Sequence, residues 1–350
     1  MTHHDFNALI FFMLTIIWAF GMINPKLILR STRRPTRKKL TSIIIILLTL
    51  LFPVTEPGEE WMQDNFEANL TALSQTLLSG AAEDGQDVQD EDQNLSGATH
   101  PSGELTVHFI DVGQGDATLF QGPDFTMLID AGRHNRDDVV SYLQTLGIEE
   151  IDVIVGTHSH ADHIGQIDEI LHVFEVEEIW LSGEPHTSRT YENMLEAIDA
   201  TDVTYHEPRA GEHYDVGSLI IDILNPDTLT GDVHGSSLAV RLRYGEINFV
   251  FTGDAEAETE EAIIARGQDI QAQIFHAGHH GSATSNTTVF LEEVQPEVAI
   301  YSAEEDNSYE HPHREVVERF EQRGIPLYGT DVYGTMLVTT DGEDYEVVLD

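Results

Sequence analysis

Cysteine is absent from all 350 residues. That excludes disulfides, thiolate metal sites, a cysteine nucleophile and a cysteine lipid anchor, so any metal must be held by His, Asp, Glu or Asn. Lysine is nearly absent too. Lys26, Lys38 and Lys39 all precede residue 40, and beyond them the positive charge comes from ten arginines between Arg133 and Arg323. Seventeen basic side chains stand against 62 acidic ones, for a formal net charge of -45. This deficit argues against a broad basic nucleic-acid-binding face, though not against nucleic acid at a metal site. A chain this acidic repels itself in dilute buffer. In molar salt the screening length falls to ~3 Å and the repulsion is damped, so the composition reads as that of a halophile. A Gly-x-Ser-x-Gly nucleophile elbow is also missing, which leaves water as the natural attacking group.

The first 55 residues are of a different kind. Phe6 to Pro25 carries no charge and spans ~30 Å as a helix, the thickness of a bilayer core. A basic block follows, from Lys26 through Arg30, Arg33, Arg34 and Arg37 to Lys39, and then a second apolar run, Leu40 to Val54. Two spans forming a hairpin would keep the basic loop in the cytoplasm and leave the remainder outside. A secretory signal built on Arg33-Arg34 and Leu40–Phe52, from a later start such as Met22, would export it as well. A single span at Phe6–Pro25 would instead leave it inside. The positive-inside rule favours a membrane-anchored or secreted protein whose catalytic domain is extracytoplasmic. Residues 56–102 read as an acidic flexible linker, because Glu83 to Asp92 has too few apolar residues to bury a face.

From residue 103 to the end the pattern is that of a folded α/β domain. Alternating or apolar runs predict strands at Leu105–Ile110, Ala117–Phe120, Phe125–Ile129, Ile151–Val155, Leu219–Leu224, Leu238–Leu242, Ile247–Phe251, Ile270–Phe275, Val298–Tyr301 and Met336–Thr339. Helices are predicted at Asp137–Leu146, Gln166–Phe174, Tyr191–Ile198, Ala257–Arg266, Thr288–Val294 and Arg314–Arg323. Strands and helices mix in both halves, which calls for layered sheets covered by helices.

The stretch Thr157-His-Ser-His-Ala-Asp-His-Ile-Gly165 carries the chemistry. His158 and His160 are two apart, so an extended segment turns both rings to one side. Asp162 and His163 follow at the turn into a helix. Three imidazoles and a carboxylate within six positions suit borderline cations such as Zn²⁺ or Mn²⁺, and solvation alone does not explain four such residues between an apolar strand and Ile-Gly.

His-x-His-x-Asp-His resembles the signature of the metallo-β-lactamase superfamily. Phe109-Ile-Asp-Val-Gly-Gln-Gly-Asp-Ala117, Leu128-Ile-Asp-Ala-Gly132, Phe251-Thr-Gly-Asp254, His279-His-Gly-Ser282 and His311-Pro-His313 extend the match. Together they resemble the hydrolase domain of the ComEC/Rec2 competence proteins, over Leu105 to about Val348. The resemblance implies a four-layer αβ/βα sandwich with its site between two sheets at one edge, binding two divalent metal ions. By it, His158 and His160 hold the first ion, Asp162 and His163 the second, and Asp254 bridges both. One of His279 and His280 completes the second ion, the sequence leaving open which. The superfamily's third histidine for the first ion is matched best by His234. Asp130 is read as a carboxylate that holds a metal-bound imidazole, and Asp111, Gln114 and Asp116 as a loop shaping the same edge. His172, His186, His206 and His213 are read as exposed. Gly281 permits close approach of backbone or substrate. His311, with Asn307 nearby, is read either as a polarising donor at the scissile group or as a turn before the last helix.

Two such ions can share one water and lower its pKa towards 7, so the catalytic set is Asp162, Asp254 and His311. The expected activity is a phosphodiesterase or nuclease, with a phosphodiester or other ester as substrate and extracellular DNA as one candidate. Competing expectations are hydrolysis of another ester or amide, such as an envelope polymer or a lactam, and a membrane-tethered DNA-binding module without turnover. Nothing in the sequence calls for an obligate protein partner.

Overall fold

The computed structural model describes Pro101 and residues 103–349. The two apolar runs, the basic block between them and nearly all of the acidic linker lie outside the described residues.

Two sheets face each other. The first has eight strands in the order β15-β14-β1-β2-β3-β4-β5-β6, and the second has seven in the order β13-β12-β11-β10-β9-β8-β7. In chain order the first sheet takes β1 (Leu105–Phe109), β2 (Thr118–Gln121), β3 (Thr126–Ile129), β4 (Glu150–Gly156), β5 (Glu175–Leu181) and β6 (Thr204–His206). The second takes β7 (His213–Val216), β8 (Leu219–Asn225), β9 (Ala239–Tyr244), β10 (Ile247–Phe251), β11 (Ile274–His276), β12 (Val298–Tyr301) and β13 (Leu327–Gly329). β14 (Met336–Thr340) and β15 (Tyr345–Val348) then return to the first sheet, where β14 pairs antiparallel with β1, Phe109 opposite Met336.

Each sheet is antiparallel in one half and parallel in the other. β3 to β6 run parallel, as do β10 to β13, and helices make the crossovers. α1 (Asp138–Thr145), α2 (Ile167–Val173) and α3 (Arg189–Ala200) cover the first sheet; α4 (Ala257–Arg266), α5 (Thr288–Val294) and α6 (Arg314–Arg323) cover the second.

Three apolar clusters hold these four layers together. The central one lies between the sheets, where Phe120 meets Phe249 and Phe251 edge-on and Phe109 stacks on Phe251. The outer two seat each helix layer on its sheet, through Leu143, Ile154 and Ile170 on one side and Ile263, Phe275 and Phe320 on the other. Burying a Phe or Leu of this kind contributes roughly 1.5–3 kcal/mol each. The sandwich expected from the sequence is thus observed. Its boundaries move in places: the strand expected at Ile270–Phe275 is only Ile274–His276, and the one beginning at Ala117 starts at Thr118.

Because the parallel strands of each half point the same way, their carboxyl ends gather at one edge, where open α/β sheets place their sites. β4, β10, β11 and β12 each run out there into one of the motifs singled out above.

Candidate metal centre

β4 delivers the His motif. Its apolar run ends at Gly156, and Thr157 is then held by Asp130 at the end of β3. Asp130 Oδ1 accepts from the Thr157 backbone N–H (2.8 Å) and Oδ2 accepts from its hydroxyl (2.7 Å). His158 and His160 follow on one side, with His158 Nε2 and His160 Nδ1 3.0 Å apart. The chain then closes a turn, the His163 and Ile164 N–H groups donating to the His160 carbonyl, before α2 begins. That turn swings His163 inward, where it is fully buried, while Asp162 stays partly open to solvent.

β10 delivers Asp254 through Thr252-Gly253, and the buried carboxylate sits between two groups of imidazoles. Oδ2 faces His158 Nε2 at 3.5 Å, His279 Nε2 at 3.6 Å and His234 Nε2 at 4.0 Å. Oδ1 faces His163 Nε2 at 3.3 Å and His280 Nε2 at 3.9 Å. His234 arrives on the loop between β8 and β9, its ring 4.9 Å from that of His160. His279 and His280 arrive after β11 with φ of 53° and 55°, a left-handed conformation that non-glycine residues adopt at a cost of order 1–3 kcal/mol.

Two groups of ligand-type atoms result: His158, His160, His234 and Asp254 in one, and Asp116, His163, Asp254 and His280 in the other. The sequence left His279 and His280 open; the structure puts His280 in the second group and His279 beside Asp254 Oδ2, facing the first. Asp162 stands on the ligand side of the second group, its Oδ2 3.6 Å from His280 Nε2. Asp116 approaches the same imidazoles from behind, at 3.7 Å from His163 Nδ1 and 3.6 Å from His280 Nδ1. It therefore backs the two rings, while Asp162 faces the open Nε2 of His280.

The donor set fits cations. His163 Nε2, His280 Nε2 and Asp254 Oδ1 are buried without a hydrogen-bond partner, an arrangement that is costly unless something fills the space between them. Ligand bonds of about 2.0–2.2 Å put the donors of one tetrahedral ion roughly 3.3–3.6 Å apart, the separations seen between His163, His158 or His279 and Asp254. The rear nitrogens are occupied: His163 Nδ1 by Asp130 Oδ2 (2.7 Å) and His280 Nδ1 by the Ser302 carbonyl (3.0 Å). These bonds leave Nε2 of both rings facing the centre.

Charge within the cluster follows from burial and neighbours. Burial works against a charged His163, but Asp254 and Asp130 overcome it and hold its pKa well above the usual value. His280 is pushed up to about 9 against the same burial, by Asp116 and Asp254. His158 is driven well below its usual value by burial and then by His163. Burial opposes an ionised Asp254, and the surrounding His163, His158 and His280 reverse that and hold it well below the usual carboxylate range.

His311 sits at the mouth of the centre. Its ring is 5.8 Å from that of His279 and 6.0 Å from that of His280, and Nδ1 is buried without a partner. Burial, followed by His280, lowers its pKa to about 4, so it is neutral near pH 7. Gly281 is the close approach expected of it: a Cβ there would fall 2.7 Å from Pro312 Cβ. His186, read from the sequence as exposed, is half-buried with its ring 5.7 Å from His160, and His206 is half-buried as well. For His186 the reason is local, since the chain after β5 folds back over the His motif, where Ser159 Oγ donates to the Glu184 carbonyl; His206 lies on β6 against β5, its Nε2 3.5 Å from Glu178.

Three contributors escaped the sequence reading. His276 is buried between Phe109 and Phe251, with Nε2 3.3 Å from Asp116 Oδ1. Glu184 accepts from Gly231 N–H and Ser236 Oγ, fixing the loop that carries His234. Glu256 lies 3.7 Å from His234 Nδ1 and 3.8 Å from His279 Nδ1. Glu184 and His276 carry no local pattern, and Glu256 is one of several acids at the start of a helix, so only the folded edge reveals them.

The Metallo-beta-lactamase superfamily profile matches residues 110–304. ComE operon protein 3 of Bacillus subtilis (strain 168) is 28% identical over 255 residues, covering 67% of this chain and 33% of that protein. Recombination protein 2 of Haemophilus influenzae is 29% identical over 239 residues, covering 66% and 28%. The chain thus spans about one third of the length of these curated relatives. Among solved structures, the metallo-beta-lactamase fold protein YhfI of Bacillus subtilis aligns with 67% of this chain and 99% of its own, at 14% identity and a TM-score of 0.47. With more than half of its residues inside that profile, the chain belongs to the metallo-beta-lactamase superfamily.

Proposed function

We propose that the protein is a two-metal phosphodiesterase acting on nucleic acid outside the cytoplasmic membrane. One observation carries the two-metal reading: the Asp254 carboxylate is buried between two imidazole groups, one on each oxygen. In this reading His158, His160 and His234 hold the first ion, His163, His280 and Asp162 the second, and Asp254 belongs to both. Divalent cations so placed, Zn²⁺ or Mn²⁺, supply an activated water and offset charge on the phosphoryl oxygens.

The remaining tasks fall to the chain. Asp130, the Ser302 carbonyl and the turn at His160 fix the rings before substrate arrives, so little reorganisation accompanies reaction. Asp162, the most open of the carboxylates in this set, can accept a hydrogen bond from the attacking water and aim it. His311, neutral near pH 7, can donate from one ring nitrogen to a phosphoryl oxygen without adding charge. A nucleic-acid substrate draws support from relatives whose names mention competence and recombination. The extracytoplasmic setting rests on the basic block between the two N-terminal apolar runs.

The test is a panel of single-stranded DNA, bis-p-nitrophenyl phosphate and a chromogenic β-lactam, run with Mn²⁺ and with Zn²⁺ in low and in molar salt. Phosphodiester turnover is expected, together with its loss and a fall in bound metal in Asp254→Ala. Turnover of the lactam alone would overturn the phosphodiester reading.

A further inference from the structure

His280 does not end the run of rings at the metal centre. Its ring lies against His311 at 6.0 Å and 29°, and His311 in turn lies against Tyr309 at 5.7 Å and 20°. The planes are near-parallel and the separations are those of aromatic pairs. One end of this stack is buried among the metal ligands; the other is solvent, for Tyr309 is 62% exposed. Tyr309 and Tyr205 are the exposed aromatics among the described residues, and Tyr205 lies on the edge strand with its hydroxyl donated to Glu207.

The loop that presents Tyr309 is held rigidly. Asn307 Nδ2 donates to the carbonyls of Glu304 and His311, and its Oδ1 accepts from the N–H groups of Tyr309 and His311. A single side chain therefore fixes both ring-bearing residues relative to each other. Such a ring is preorganised for contact, at little cost in conformational freedom on binding.

We propose that Tyr309 is a stacking platform for a nucleobase of a single-stranded substrate, one or two nucleotides from the scissile phosphate. The proposal rests on the phosphodiester reading above and names the part of the substrate that the site grips. A base continues the ring series outward, and every base offers a π-face, so the platform selects single strands without selecting sequence. The same loop is acidic, with Glu304, Glu305, Asp306 and Glu310, and Glu304 already faces Arg133 and Arg136. Attraction of phosphates is therefore weak here, and stacking carries the grip.

The experiment compares a short phosphorothioate oligothymidylate, resistant to hydrolysis, with the same oligomer carrying a single abasic residue scanned along it. Equilibrium binding is measured on the full chain by fluorescence anisotropy. The wild type is expected to bind the base-bearing oligomer about 5- to 100-fold more tightly than the abasic one at a single scan position. Tyr309→Ala removes that preference, and Tyr309→Phe and Tyr309→Trp keep it. The preference persists in molar salt, where phosphate contacts weaken steeply. Equal preference in Tyr309→Ala and wild type would overturn the platform. Turnover of unmodified oligothymidylate, followed in parallel, separates the two readings. Turnover without a Tyr309-dependent preference leaves the phosphodiesterase standing and removes the platform. A preference without turnover does the reverse.

Discussion

Asp130 shows how much of the centre depends on one side chain outside the ligand set. Its two oxygens accept three hydrogen bonds, from the Thr157 N–H, the Thr157 hydroxyl and His163 Nδ1. The first two fix the start of the His motif, and the third fixes the orientation of a ligand ring. An asparagine in its place turns an N–H₂ group toward one of these donors. Asp130→Asn is therefore expected to lower metal affinity about 10- to 100-fold, read by competition with a calibrated chelator. Unchanged affinity would mean that packing alone orients His163. Much of this centre was legible in the sequence. His158, His160, Asp162, His163 and Asp254 follow strands whose apolar character marks where they end, and the block pattern supplied the rest. That His280 faces one oxygen of Asp254 and His279 the other was not legible, because two adjacent residues differ only in how the left-handed turn aims them. Asp116 was read as part of an edge-shaping loop; its place behind two imidazoles depends on long-range backbone bonds, its N–H donating to the Asp162 carbonyl and its carbonyl accepting from Gly132 N–H.

Among the elements, the helices Ala257–Arg266, Thr288–Val294 and Arg314–Arg323 and the strands Ile247–Phe251 and Val298–Tyr301 fall where the pattern put them. The strands Glu175–Leu181, Thr204–His206, His213–Val216, Leu327–Gly329 and Tyr345–Val348 were not read from it. Glu175-Val-Glu-Glu-Ile-Trp-Leu181 has glutamates where a buried strand should be apolar, and pairing with β4 on one side and β6 on the other decides its state. The other four are three or four residues long and lie at or near sheet edges, where neighbours outweigh propensity. One turn between elements carries a sharp constraint. At Gly165, just before α2, a Cβ would stand 2.2 Å from His134 N and 2.3 Å from the Gly132 carbonyl oxygen, both backbone atoms. The Gly165 N–H also donates to that carbonyl, so neither chain can retreat without opening the His motif. Gly165→Ala is expected to destabilise the fold by roughly 1–3 kcal/mol or more and to reduce bound metal in parallel. Urea denaturation with metal analysis checks both, and a stability equal to wild type would show that this contact yields.

At the scale of the whole molecule the centre couples to stability through protons. His163 and His280 both have folded pKa values above the usual 6.5, His280 at about 9. In the chelated protein each gains from neighbouring carboxylates only while protonated. The His280 contribution is fully present below pH 6.5 and is lost as pH rises through about 9; that of His163, whose pKa lies well above 6.5, is likewise present below pH 6.5 and is lost as pH rises through its folded value. The metal-loaded protein follows the opposite course. Binding a cation to either Nε2 displaces the proton, so affinity increases with pH until these rings have lost their protons, and ligand binding adds stability by mass action. The two forms should therefore diverge between pH 6.5 and about 9. The melting temperature of the chelated chain falls across that range, while the gap between loaded and chelated chains widens. Differential scanning calorimetry at several pH values, with and without chelator, measures both curves. Because His163 and His280 and the carboxylates of Asp116, Asp130 and Asp254 beside them are almost wholly buried, salt screens this coupling far less than it screens the surface charge, and the divergence should survive in molar salt. Parallel curves would mean that the protons on His163 and His280 are not what a cation displaces.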